Sequence, residues 1–176
     1  MQKVITAFFL CFIVTNLFAQ AQRKVSTYLQ ANYNQTLKDI TIGNNPWGIG
    51  IGLQTFINTK TFFKPTIELT ADVYLMNDKV YRMYADGTQI PTVEAMINLF
   101  AGTSFSATQN LYFSVVGGPS FIHEQTLFGI KPSVGFYFSK SKRGTAKFSY
   151  INIFRRDRLT KQDFNSVCLS LGFKLF

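Results

Sequence analysis

Residues 166–175 alternate without a fault: Val167, Leu169, Leu171, Phe173 and Leu175 take one parity, and Ser166, Cys168, Ser170, Gly172 and Lys174 the other. A period of two is the spacing at which a β-strand shows one face to an apolar phase and the other to something polar. Several more segments repeat the arrangement, with small or charged residues on the polar parity. That combination predicts a narrow closed barrel in a bilayer, because backbone groups there must be paired internally and each strand must turn its apolar side to lipid.

Eight such segments can be marked out with turn chemistry between them: about 25–34, 47–54, 66–76, 93–103, 111–122, 127–139, 145–154 and 166–176. The second sets Trp47, Ile49, Ile51 and Leu53 against Gly48, Gly50, Gly52 and Gln54. The third sets Ile67, Leu69, Ala71, Val73 and Leu75 against Glu68, Thr70, Asp72 and Tyr74. In the fourth, Val93, Ala95, Ile97 and Leu99 oppose Glu94, Met96 and Asn98. The seventh is the least regular, since Ile151 and Ile153 share the parity of Lys147 and Ser149. With both termini at the periplasmic end, the outward loops are about 35–46, 77–92, 123–126 and 155–164, and the inward turns lie near 56–64, 104–110 and 140–144. The predicted fold is all-β, an eight-stranded antiparallel up-and-down transmembrane barrel.

Alternation alone does not say which parity faces water, because a soluble lipocalin-like barrel would turn its apolar parity inward. Residue size arbitrates. A solvated sheet face would carry Gly48, Gly50, Gly52, Gly129, Gly135, Ser170 and Gly172, which make poor sheet surface. Inside an eight-stranded barrel the same small residues offset large ones such as Tyr28, Tyr74, Tyr112 and Tyr137.

The first residues read as an export leader: Lys3, then a mostly apolar run Val4 to Phe18, then Ala19-Gln20-Ala21 as a small-x-small cleavage site. The run is too short for a spanning helix, and Cys11, in mid-run after bulky Leu10, is not placed for lipidation. The expected domains are therefore a signal peptide, 1–21, and a barrel, 22–176. In the mature chain Cys168 is the only cysteine, so no intramolecular disulfide can form. Losing Lys3 lowers the formal charge from +9 to +8. Such a balance can indicate nucleic acid, but an export signal argues against that partner, and anionic lipid headgroups are the more natural counter-charge.

On the leader ending Ala19-Gln20-Ala21-Gln22, the eight strands and the final Leu171-Gly172-Phe173-Lys174-Leu175-Phe176, the chain resembles the small outer-membrane β-barrel family of the OmpX and OmpA-barrel type, particularly its Bacteroidetes versions. The resemblance implies a bacterial outer-membrane location. It also implies that Phe176 is read by the barrel-assembly machinery, although Lys174 stands where that signal usually has an apolar residue.

The polar parity places Glu68, Asp72 and Glu94 with Lys131, Lys147 and Lys174 facing one narrow lumen, where three acids and three bases nearly neutralise one another, as buried charge requires. Such a set can act as an ion gate or as a structural plug of salt bridges, and the plug is the plainer reading. Arg155, Arg156, Arg158 and Lys161 form the densest basic group, in the final outer loop, where they could meet lipopolysaccharide phosphates or simply hydrate the loop.

His123 is the only histidine, and Ser120 and Glu124 lie near it. On an extended strand Ser120 and Glu124 share a face while His123 points to the other, so nucleophile and base are separated by the sheet. No metal-ligand cluster, phosphate loop or paired-carboxylate arrangement stands out, and no cofactor is expected. The sequence thus predicts a monomeric, non-enzymatic outer-membrane barrel acting structurally or through its extracellular loops. A lipid-modifying deacylase or acyltransferase and a narrow solute pore are the alternatives.

Overall fold

A computed structural model describes residues 25–77, 83–90, 92–157 and 161–176. The expected leader, 1–21, lies outside the described residues. Eight strands follow one another: β1 Val25–Lys38, β2 Trp47–Ile57, β3 Phe63–Tyr74, β4 Ala95–Ser106, β5 Leu111–Ile122, β6 Gln125–Tyr137, β7 Gly144–Ile153 and β8 Phe164–Lys174. Each pairs antiparallel with the next, and β8 pairs with β1, so the sheet closes.

Closure is staggered. Following paired residues once around from Thr27, through Thr55, Ile67, Ala101, Gly117, Ile130, Asn152 and Asn165, returns to β1 at Lys38, the far end of the strand from which the path began. A barrel with that offset must tilt its strands, which sets its width and leaves an interior only wide enough for side chains. Three seams are imperfect: the β6–β7 ladder skips from Ile130 to Ser133, across Pro132, which has no N–H to give, the β4–β5 ladder skips from Asn98 to Ala101, and the β1–β8 register shifts between Thr36 and Lys38.

The faces divide as the alternation demands. Ile49, Ile51, Leu69, Val73, Leu99, Val115, Phe136, Phe148, Leu169 and Leu171 are exposed on the outside, while Gln30, Gln54, Glu68, Thr70, Asn98, Lys131, Lys147 and Ser170 are buried within. The exterior is thus a continuous apolar belt far larger than a soluble monomer tolerates, over an interior of polar groups. Tyr33 and Trp47 stack on the outside toward the end where residues 39–46 join β1 to β2, ring centroids 6.1 Å apart. At the opposite end Phe62, Phe63, Phe105 and Phe113 form an outer ring stack, with Phe105 and Phe113 5.2 Å apart.

The two ends differ. The connections 58–62, 107–110 and 138–143, together with Val25 and Phe176, define a turn end; 39–46, 75–94, 123–124 and 154–163 define a loop end. The third outer connection shrinks to the pair His123-Glu124, because β6 begins at Gln125 rather than 127, and His123 takes the positive φ (51°) that so tight a reversal needs. β1 also runs further than expected, to Lys38.

The interior is layered. Tyr28, Phe56, Tyr112 and Tyr137 fill the turn end, with Tyr112 and Tyr137 centroids 4.9 Å apart. Polar groups occupy the middle. Near the loop end lies a second apolar cluster of Tyr74, Val93, Met96, Phe100, Val116, Ile122, Ile151, Ile153, Phe164 and Cys168. Ile151 and Ile153 thus break the strand pattern because they are this plug rather than lipid-facing, and Val93, expected on the lipid side, is fully buried in it.

Gly135 shows how tightly the turn-end cluster is fitted, since a Cβ there would run into the ring of Tyr112. We expect Gly135→Leu to cost about 1–3 kcal/mol by overpacking, read as a lowered urea midpoint of the folded protein in vesicles. Ala31→Leu, on the exposed outer face, leaves that midpoint unchanged or raises it.

Candidate functional site

Three charged side chains meet in the middle of the barrel. β3 carries Glu68, β6 Lys131 and β7 Lys147, and the inward parity of each strand brings them to one level. Lys131 Nζ bonds Glu68 Oε1, and Lys147 Nζ donates to Glu68 Oε2 at 2.8 Å, all three residues at most 1% exposed. Lys147 also donates to Gln30 Oε1 at 3.0 Å, and Gln30 Nε2 to Gln54 Oε1 at 2.8 Å, so the ammonium is spread over two strands more. Tyr112 joins this layer to the turn-end rings through its hydroxyl, 3.3 Å from Thr145 Oγ1.

Asp72 supplies the second interior carboxylate. Its Oδ1 accepts from Asn32 at 3.2 Å and Asn34 at 2.8 Å, and Gly50, beside it on β2, leaves the space its carboxylate occupies. It is buried and close enough to Lys131 to feel its charge. Two lysines and two carboxylates therefore match in number, where desolvation of a single unpaired charge is prohibitive.

Two of the six expected lumen residues do not belong there. Glu94 is exposed, just before β4: the Val93 N–H is held by Asn45 Oδ1 at 3.1 Å and the Val93 side chain turns inward, so the alternation does not extend back past Ala95. Lys174 is half-buried at the turn-end rim, opposite Tyr28, away from the charge cluster.

The loop end is folded over the mouth. The Asp39 carboxylate accepts the Thr41 N–H at 2.8 Å, Asn77 N–H donates to the Asn44 carbonyl at 2.6 Å, and the Tyr84 hydroxyl donates to Asp157 Oδ1 at 3.1 Å. These bonds join three of the four loop-end connections. Desolvation, with the adjoining Asp157 carboxylate, raises the Tyr84 hydroxyl above its ordinary pKa, whereas hydrogen bonds from Thr88 hold exposed Asp86 below the usual carboxylate value.

That folding corrects the basic group. Arg156 is buried, its Nε 3.9 Å from Asp39 Oδ2, because the β7–β8 connection lies against the neighbouring β1–β2 connection. Arg155 and Lys161 are exposed, and Arg158 lies outside the described residues. The Arg155 N–H is held by Asp163 at 2.9 Å.

The three residues considered for hydrolysis are held apart in their bonding. Ser120 is buried and its hydroxyl donates to Asn98 Oδ1 at 2.6 Å; His123 Nε2 bonds the Thr92 carbonyl; Glu124 is exposed. No group of three metal-ligating side chains occurs among the described residues. Sequence reasoning missed Gln30, Gln54, Asn32 and Asn34 as partners of the charges, although all four carry the inward parity of their strands.

The closed sheet, outward apolar belt and charged interior can be set beside known proteins. The Yersinia pestis outer-membrane protein Ail in a phospholipid bilayer nanodisc superposes with a TM-score of 0.54 at 12% identity, over 85% of this chain and 99% of that one. The fold is shared with outer-membrane β-barrels. A crystal structure of Ail with the heparin analogue sucrose octasulfate gives 0.53 at 9%, covering 86% and 98%, and a de novo designed transmembrane β-barrel gives 0.50 at 6%, covering 85% and 95%. No family model and no curated protein sequence matches the chain.

Removing Glu68 leaves two ammonium groups facing each other in a dry interior. We expect Glu68→Gln to destabilise the barrel by about 3–5 kcal/mol, the usual cost of breaking a buried pair, measured by chemical unfolding in vesicles. Replacing Glu68, Lys131 and Lys147 together by apolar residues of similar volume is expected to cost much less.

Proposed function

We propose that the chain is an integral protein of a bacterial outer membrane, non-enzymatic, that acts structurally and through the surface its loop end presents. The observation that carries this reading is the inverted distribution of polarity: Ile51 at 64% exposure, Leu171 at 57% and Phe128 at 57% stand outside, while Glu68, Lys131 and Lys147 are sealed inside. Only a surrounding apolar phase stabilises such an arrangement. The likeness in fold to Ail, an outer-membrane protein described in a phospholipid bilayer nanodisc, supports it.

A structural role follows from the two plugs. With aromatic rings at the turn end and Met96, Phe100, Ile122 and Phe164 near the loop end, the interior is filled with side chains, which disfavours a solute path. Exchange with the outside then falls to the interlocked loop connections, where exposed Arg155 and Lys161 are placed to meet lipopolysaccharide phosphates. In the same reading Phe176 serves recognition by the assembly machinery, and the barrel works as a monomer.

The test is membrane extraction followed by a gel of boiled and unboiled sample. We expect the unboiled protein to migrate as a compact band that shifts on heating, and the leaderless chain to fold only when detergent or lipid is supplied. A folded monomer dispersed in detergent-free buffer overturns the proposal.

A further inference from the structure

The charges outside the barrel are not shared evenly between its ends. Of the nine acidic residues, Glu68 and Asp72 are interior, and the other seven, Asp39, Asp78, Asp86, Glu94, Glu124, Asp157 and Asp163, fall in the loop-end connections of the sequence. The turn end has none. It has Lys60 between β2 and β3, Lys64 at the start of β3, Lys140, Lys142 and Arg143 between β6 and β7, and Lys174 at the end of β8.

These cations share one rim. Lys174 N–H donates to the Arg143 carbonyl at 2.7 Å, and the Tyr28 hydroxyl to the Lys142 carbonyl at 2.8 Å. The Lys142 ammonium lies 5.1 Å from the centroid of Tyr137, and it is close enough to Lys64 for the two to repel. Lys60, Lys140 and Arg143 are exposed. Among the described residues no Asp or Glu side chain stands at this end to offset the repulsion, and an anion from outside would relieve it.

Immediately beside the rim the outer face is aromatic. Phe62, Phe63, Phe138 and Phe173 are each more than half exposed and point where acyl chains would lie. Aromatic residues mark the interface level of a barrel, so the neighbouring ammonium and guanidinium groups stand at the height of headgroup phosphates. We propose that this rim is a docking surface for anionic glycerophospholipids of the leaflet surrounding the turn end, with acyl chains on the Phe girdle and phosphates on Lys60, Lys140, Lys142 and Arg143. A soluble acidic partner would use the cations but leave the girdle without a role.

This inference rests on the membrane reading, and its test separates the two. The mature chain is reconstituted in vesicles of equimolar phosphatidylcholine and phosphatidylglycerol, released in mild detergent, and its retained lipids are counted by native mass spectrometry. Wild type is expected to retain phosphatidylglycerol several-fold over phosphatidylcholine. The combined Lys60→Gln, Lys140→Gln, Lys142→Gln and Arg143→Gln variant is expected to fall to parity, while Lys38→Gln with Arg155→Gln and Lys161→Gln at the loop end keeps the preference. Raising salt to about 0.5 M before release should shrink the wild-type preference without any substitution, because exposed charges are then screened. An inserted, heat-shifting wild type with no preference, or a turn-end variant that keeps it, overturns this proposal alone. A chain that never inserts overturns both readings.

Discussion

The structure depends on one constraint: inside an apolar belt no backbone N–H or C=O finds a partner except on a neighbouring strand. Closing β8 onto β1 satisfies that constraint all the way round, and the offset of the closure tilts the strands and fixes the bore. Small residues at Gly50 and Gly135 are consequences. They stand where Asp72 and Tyr112, their paired residues on the adjacent strands, need the space of a side chain.

A bore of that width is filled largely by side chains, so the interior charges find their partners mainly in one another and in neighbouring amides. Glu68 between Lys131 and Lys147, and Asp72 between Asn32 and Asn34, form two adjoining solutions, one by ion pairing and one by amide donation. Above and below them the filling is apolar, and the charged layer is insulated from both ends. A buried ionic layer is weak evidence for stability, since an apolar substitute of equal volume can do as well. Its clearer effect here is on register: a strand slipped by one residue would push Glu68, Lys131 or Lys147 into lipid.

The period of two made the strands, their order and their inward parity legible in the sequence, and with them Glu68, Lys131 and Lys147. What alternation does not encode is where it stops. Val93 and Glu94 keep the parity of β4 on paper, but the chain has already bent across the mouth, held by Asn45 from a connection 48 residues away. Arg156 reads as an exposed loop cation for the same reason, since it is buried against Asp39 of a connection far away in sequence, the neighbouring β1–β2 one. Ile151 and Ile153 looked like irregularity because a strand pattern assigns every apolar residue to lipid, whereas a plugged barrel also has an apolar interior. Contacts between loops depend on geometry that no local pattern carries.

Trp47 is the chain's one indole, and it stands on the outer wall at the loop end, stacked on Tyr33. Its emission therefore samples a single depth. A blue shift on mixing with vesicles dates the arrival of β1 and β2 at that depth, and quenching by brominated acyl chains measures how far below the headgroups it rests. The barrel carries its own optical depth gauge, placed where insertion would be completed last if the turn end leads through the bilayer.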